Sequence, residues 1–217
     1  MEGFRKKIGI IGIGNAGGQV GYLAERKYGD LIDVVYINSS DADLAMVGSS
    51  PFKFKIGDGS VEGSGKNRPR MKDYLKADIN SILNNKDFQN MVNDKLYVFV
   101  VSSAAGGTGS GAAPVMLNIL KEIFLDVNFI LVGILPQQTA SLMEIRNTRE
   151  YCDELYRNLA ENSTYMLYDN ETASDLSVTQ TLEAVNEAIV EDIRILSGID
   201  NFPTPYESID EADMESI

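Results

Sequence analysis

Five apolar, β-branched runs alternate with stretches of helical periodicity along this chain, and few folds accept that alternation. Residues 6–13, 32–38, 95–102, 128–135 and 164–168 read as buried strands. Residues 17–27, 70–84, 112–124 and 142–160 lie between them and read as helices. Strands that are apolar on both faces must be covered on both faces. The pattern therefore predicts an α/β fold, a Rossmann-like, mostly parallel sheet with helices on both sides. A long helix follows over residues 178–197, where Leu182, Val185, Ile189, Ile193 and Leu196 form one stripe and Gly198 is placed to end it. Residues 58–70 are Gly-rich and polar and read as a mobile loop.

In open sheets of this kind, ligands sit beyond the carboxyl ends of the strands. Here those ends carry residues 12–18, 38–41, 103–111, Pro136 and Asp169-Asn170. Gly12-Ile13-Gly14-Asn15-Ala16-Gly17 fits G-x-G-x-x-G between a strand and a helix. Such glycines let backbone approach phosphate, and the helix start attracts anions. A tight turn that merely needs glycine would read the same way. An NAD-dependent oxidoreductase would place an acid after the second strand to hold the ribose, but Asn38-Ser39-Ser40 stands there.

Composition removes several chemistries. The formal net charge is −13, which disfavours direct contact with nucleic acid. With no histidine, Ser-His-Asp and Cys-His catalysis and His-based metal sites are excluded, and Cys152 has no partner for an internal disulfide. No apolar run reaches the ~20 residues that span a bilayer. The apolar stretch after the basic start is broken by Gly9, Gly12 and Gly14, against a signal peptide. A cytoplasmic protein is expected. Carboxylates, amides, hydroxyls, basic side chains and backbone N–H groups remain, enough to bind a nucleotide with Mg²⁺.

The second glycine loop is more specific. Ala105-Gly106-Gly107-Thr108-Gly109-Ser110-Gly111 stands between a buried strand and an amphipathic helix, where a flexible linker has no place. Its N–H groups can form a nest for phosphate, with hydroxyls from Thr108 and Ser110. No Gly-Lys-Ser/Thr appears, so it is not a Walker loop. The segment resembles the Gly-Gly-Thr-Gly loop of the tubulin/FtsZ family, and the resemblance extends over nearly the whole chain.

That resemblance implies a GTP-binding domain over residues 1–176, a central helix over 177–198, and a synergy loop with the start of a further helix over 199–217. Gly14, Asn15, Ala16 and Gln19 resemble the first loop, with Asn15 near phosphates and metal and Gln19 near base or ribose. Asn38-Ser39-Ser40-Asp41 looks like the second loop. Gly63-Ser64-Gly65-Lys66-Asn67-Arg68 is similar to the third, the γ-phosphate sensor, which brings in Gly65, Lys66 and Asn67. Ala105, Gly106, Gly107, Thr108 and Gly109 would hold phosphate. After Pro136, Glu144, Arg146 and Asn147 are the ribose-side candidates, although a salt-bridged surface helix also accounts for them. Asn170, Leu182 and Asn186 would face guanine.

Ser208-Ile209-Asp210-Glu211-Ala212-Asp213 resembles the synergy loop, making Asp210 and Asp213 the catalytic candidates; Ser208 stands where FtsZ often has asparagine. The same residues also read as a capping box with helix-start aspartates, and both readings stay open. From Asn186 to Gly198 is twelve residues, roughly 18 Å of helix at about 1.5 Å each. If Asn186 touches the base, the acids beyond Gly198 serve a neighbouring subunit. Head-to-tail contact of that kind does not close, so it builds filaments.

The implied protein is a GTPase using GTP/GDP and Mg²⁺ that assembles with itself. The long third loop and the ribose segment look closest to the plasmid- and phage-encoded TubZ branch, which implies DNA segregation through a separate DNA-binding adaptor. A division role like that of FtsZ and a regulator that never hydrolyses are the alternatives. Members of the family continue past the position of Asp213 with a second domain, so this chain is expected to be part of a longer protein, binding nucleotide but polymerising and hydrolysing poorly by itself.

Overall fold

The computed structural model describes residues 8–48, 52–59, 62–93, 95–158, 164–170 and 177–198. Six strands, β1 (Ile8–Ile13), β2 (Ile32–Asn38), β3 (Lys53–Lys55), β4 (Tyr97–Ser103), β5 (Asn128–Leu135) and β6 (Thr164–Asp169), form one sheet. Their order is β3-β2-β1-β4-β5-β6 and every pair is parallel. Among the described residues, seven helices connect or cover them: α1 (Gly14–Tyr28), α2 (Asp41–Met46), α3 (Arg68–Leu83), α4 (Lys86–Asn93), α5 (Thr108–Ile123), α6 (Leu142–Asn158) and α7 (Val178–Leu196).

Strand alternation sorts the apolar residues into two cores. Ile11, Ile13, Val98, Val100 and Leu131 point to one face and pack under α3, α4, α5 and α6. Ile8, Ile10, Phe99, Val101 and Val132 point to the other, against α1 and α7. Val185, Ile189, Val190 and Ile193 of α7 are almost wholly buried in that second core, and Tyr168 Oη donates to Asp192 Oδ2 at 2.7 Å. Helix α7 thus packs as part of the same body as the sheet. At the edge, β6 is only half covered, with Tyr165 and Leu167 exposed.

The strand order reverses between β1 and β4, which neighbour each other in the middle of the sheet. A crevice opens at their carboxyl ends, where α1 and α5 begin. Close approach sharpens it: a Cβ on Gly17 would stand 2.1 Å from the Val101 carbonyl oxygen, so α1 lies directly on the sheet.

Three short elements were not legible in the sequence. Helix α2 starts at Asp41 within the segment read as a loop, its Ser40 Oγ accepting from Asp43 N at 3.1 Å. Strand β3 offers only three residues. Helix α4 buries Phe88, Met91 and Val92 behind an Asn85 side chain that accepts from the amides of Asp87 and Phe88. The glycine-rich segment read as a loop to residue 70 ends earlier, because Asn67 Oδ1 caps α3 by accepting from Arg70 N at 3.0 Å. Residues 199–217, with Asp210 and Asp213, lie outside the described residues.

Candidate functional site

Among the described residues, five of the seven helices have starts occupied by their own side chains: Ser40 at α2, Asn67 at α3, Asn85 at α4, Ser141 at α6 and Ser177 at α7. Helices α1 and α5 are the exceptions. Ile13 and Gly107 precede them, and neither makes a side-chain cap. The first N–H groups of a helix need acceptors, and the aligned peptide dipoles favour an anion there. Both uncapped starts face the same crevice, with Gly14 at φ +75° and a hypothetical Cβ there 3.0 Å from Gly109 N.

The cleft they share has a volume of about 280 Å³. Ile13, Gly14, Asn15 and Ala16 line it from the first turn; Ser103, Ala105, Gly106, Gly107, Thr108 and Gly109 line it from the second. Asn38, Asp43, Gly63, Ser64, Lys66 and Glu144 complete the wall. Hydrogen bonds lock these segments together. Ser39 Oγ and Thr108 Oγ1 are 2.9 Å apart in a buried contact. Glu62 accepts from Ser40 Oγ at 2.9 Å and from Ala42 N at 3.2 Å. The Ala42 amide, then the Ser40 hydroxyl, hold the Glu62 carboxyl below the usual carboxylate range.

The segment 63–66 folds over the glycine turn. A Cβ on Gly107 would meet Ser64 Oγ at 2.3 Å and Lys66 Cα at 2.8 Å, so only glycine fits beneath it. Lys66 itself has φ +58°, an uncommon backbone state for a side-chain-bearing residue. Its Nζ lies 2.9 Å from Glu144 Oε1. The Lys66 ammonium, followed by the hydroxyl and amide of Ser141, brings the Glu144 carboxyl down to about 2.

The Tubulin/FtsZ family, GTPase domain profile matches residues 7–177. The chain belongs to the tubulin/FtsZ family. The tubulin-like protein CetZ of Pyrococcus abyssi is 28% identical over 217 residues, covering 96% of this chain and 57% of the relative. The tubulin-like protein TubZ of Clostridium botulinum C phage is 28% identical over 178 residues, covering 80% of this chain and 48% of the relative. The structure of CetZ2 from Haloferax volcanii, a GTPγS-bound protofilament, superposes with a TM-score of 0.75 at 26% identity, covering 91% of this chain and 60% of that one. The chain spans about half the length of the curated relatives it matches.

Of the positions expected from the tubulin/FtsZ likeness, the structure brings Gly14, Asn15, Ala16, Lys66, Ala105, Gly106, Gly107, Thr108, Gly109 and Glu144 to one cleft. Gln19 stands one turn behind and donates to Asn15 Oδ1 at 3.2 Å. Gly65 and Asn67 line a neighbouring cavity of about 330 Å³ with Met143 and Arg146. Asn147 is buried beneath the turns. Its Nδ2 reaches the carbonyls of Lys66, Ala105 and Gly106 at 3.0, 3.1 and 3.1 Å, which fastens two loops to α6. Asn170, Leu182 and Asn186 do not line the cleft. The Oδ1 of Asn170 is buried with no hydrogen-bond partner among the described residues, an acceptor left open just past β6.

Asp43 is the cleft residue that lay outside every segment read from sequence as ligand-facing; Asn38, Ser103, Gly63 and Ser64 fall within those segments. Asp43 enters because Ser40 caps a helix and turns residue 43 inward, where its carboxylate accepts from Asn38 Nδ2 at 3.1 Å. The Asn38 Oδ1 is occupied by the amides of Ser39 and Ser40, at 2.8 and 3.3 Å, so this side chain shapes a turn where a dinucleotide enzyme would hold ribose. The Ser-x-x-Asp spacing at 40–43 was the available signal for the cap.

Proposed function

We propose that the cleft takes the phosphates of a guanosine triphosphate and that the chain acts as a GTPase of a filament-forming protein. The observation that carries this reading is the pair of uncapped helix starts, α1 and α5, meeting at one cleft while the other five helices among the described residues are capped. Phosphate would supply the missing acceptors. Phosphoryl transfer demands mainly positioning and charge stabilisation, which two amide-lined turns and Lys66 are suited to provide. The relatives support the guanine reading, since the CetZ2 structure is described as GTPγS-bound. Asn170, with its open acceptor, and Asn186 on α7 are the side chains proposed for the base.

Mg²⁺ prefers oxygen ligands and usually keeps waters, taking one or two carboxylates and substrate phosphates. The donor set fits such a cation. Asp43 is the carboxylate in the cleft that is not engaged by Lys66, and no group of three ligating residues exists among the described ones to form an all-protein cage. When bound, the ion would neutralise phosphate charge; Asp43 would hold it.

Hydrolysis is proposed to be completed by Asp210 and Asp213 of the next subunit in a head-to-tail filament, orienting the attacking water. Leu142, Met143 and Ile145 support the assembly reading: all three are exposed at the start of α6, beside the cleft-lining Glu144. CetZ2 is described as a protofilament. The CetZ of Pyrococcus abyssi and the TubZ of the Clostridium botulinum phage match this chain at the same 28% identity. DNA segregation through an adaptor therefore rests on the TubZ likeness alone, while a cytoskeletal GTPase is common to both branches. No helix among the described residues is long and apolar enough to cross a membrane, and a cytoplasmic site of action is proposed.

Competition of GTP against ATP and NAD on the purified chain, with sedimentation in each nucleotide, tests the reading. Guanine-selective binding is expected; equal displacement by ATP or NAD would overturn it. Replacing Asp213 by Ala should abolish turnover and leave GTP binding intact, whereas a regulator that never hydrolyses would be indifferent to the change.

A further inference from the structure

Helix α5 contains Pro114 in its second turn. Proline has no N–H, so the carbonyl of Ser110, four residues earlier, loses its intrahelical partner. Ser110 is fully buried, and a buried carbonyl without a donor is costly. The donor comes from elsewhere in the chain. Arg68, the first residue of α3, is 1% exposed and directs both Nε and Nη2 at Ser110 O, at 3.2 and 2.8 Å. The same guanidinium donates to Glu150 Oε2 at 3.1 Å and Glu154 Oε2 at 2.9 Å on α6. The packing is close: a Cβ on Gly111 would stand 2.8 Å from Arg68 O.

We propose that Arg68 is a positioning residue that holds the phosphate-facing turn of α5 in register with the 63–67 loop. Arg68 directly follows Asn67, which caps α3, so whatever fixes Arg68 fixes the end of that loop. Its grip on Ser110 fixes the first turn of α5, whose amides line the cleft. Asn147 ties the same two loops from the other side. A methionine at 68 would fill space but leave Ser110 O bare. An alanine at 114 would restore the ordinary helical donor to that oxygen. Arg68 and Pro114 thus form a matched pair: the proline opens a gap in the helix, and the arginine bridges it to the loop.

The consequence for ligand binding rests on the guanosine triphosphate reading given above; the consequence for the turn does not. Amide hydrogen exchange without nucleotide should rise about tenfold at residues 107–111 in R68M, the loss of a hydrogen bond to a charged group. It should return to within about twofold of the P114A baseline in R68M/P114A, because coupled sites deviate from additivity. In wild type against R68M, GTPγS affinity should fall about tenfold while GDP affinity falls less, since the uncoupled loop is the one set over the outer end of the phosphate turn. Exchange in R68M equal to wild type, or a double variant no better than R68M, would overturn the assignment. Should R68M fail to fold, recovery of folding in R68M/P114A supports the pairing and failure of both variants refutes it. A wild-type chain that binds no guanine nucleotide would sink the functional reading and leave the exchange experiment to decide on Arg68.

Discussion

Lys66 Nζ and Glu144 Oε1 meet at 2.9 Å across the mouth of the cleft, joining the end of the glycine-rich loop to the first turn of α6. Glu144 is also the capping-box residue of that helix, accepting from Ser141 N and Oγ at 2.8 and 2.7 Å. One carboxylate thus anchors a helix start and pairs with the Lys66 ammonium. With its carboxyl at about 2 in the folded chain, below the ordinary 4.5, the sign of its pH effect is fixed. The stabilisation is complete above about 4.5 and disappears as pH falls toward 2. Urea unfolding at about pH 5 and about pH 3 should register a loss that Glu144→Gln makes smaller. An unchanged pH dependence in the variant would contradict the ion pair's role.

Asn147 gives a test of the buried clamp. Its amide serves three carbonyls at 3.0–3.1 Å while 3% exposed. Asn147→Ala should cost about 1–3 kcal/mol by stranding buried acceptors. Thermal melting should fall by roughly 2–4 °C for each kcal/mol lost in a chain of this size. Asn147→Asp should be worse, because a carboxylate has no N–H and faces carbonyl oxygens. A melting temperature equal to wild type in both variants would refute the clamp.

Gly107→Ala separates site geometry from stability. The added methyl would stand 2.3 Å from Ser64 Oγ and 2.8 Å from Lys66 Cα, so the covering loop must move. Melting should change by only about 3 °C, since the displaced groups are at the surface. Triphosphate affinity should drop about tenfold or more. Calorimetric titration reporting unaltered affinity would show that the loop does not cover the ligand.

Asp43→Asn addresses the cation. Replacing the carboxylate keeps the shape but removes the charge. The Mg²⁺ concentration needed for half-maximal nucleotide binding should rise about tenfold, with binding in EDTA unchanged or tighter. A magnesium titration superimposable on wild type would remove Asp43 from the proposed metal contact.

Much of this architecture was legible because it rests on local chemistry. The runs 32–38 and 128–135 coincide with β2 and β5, since β-branched stretches apolar on both faces fit only a covered sheet. The glycine turns were legible for the same reason, being wedged between a strand and a helix. Short elements were not: β3 has three residues, and α2 has six beginning inside a polar turn, too few for periodicity to emerge. Asp43 remained hidden with α2.

The sequence by itself determined the alternating α/β order, the parallel sheet and the two glycine-rich turns, because strand burial and glycine sterics act over a few neighbouring residues. Only the tertiary structure decided that Lys66 meets Glu144, that Asn147 lies under the loops, and that Arg68 gives Ser110 O the donor that Pro114 lacks. Those pairings join residues more than forty positions apart. No local propensity encodes them; they follow from which strands neighbour each other and which helix starts are left open at their ends.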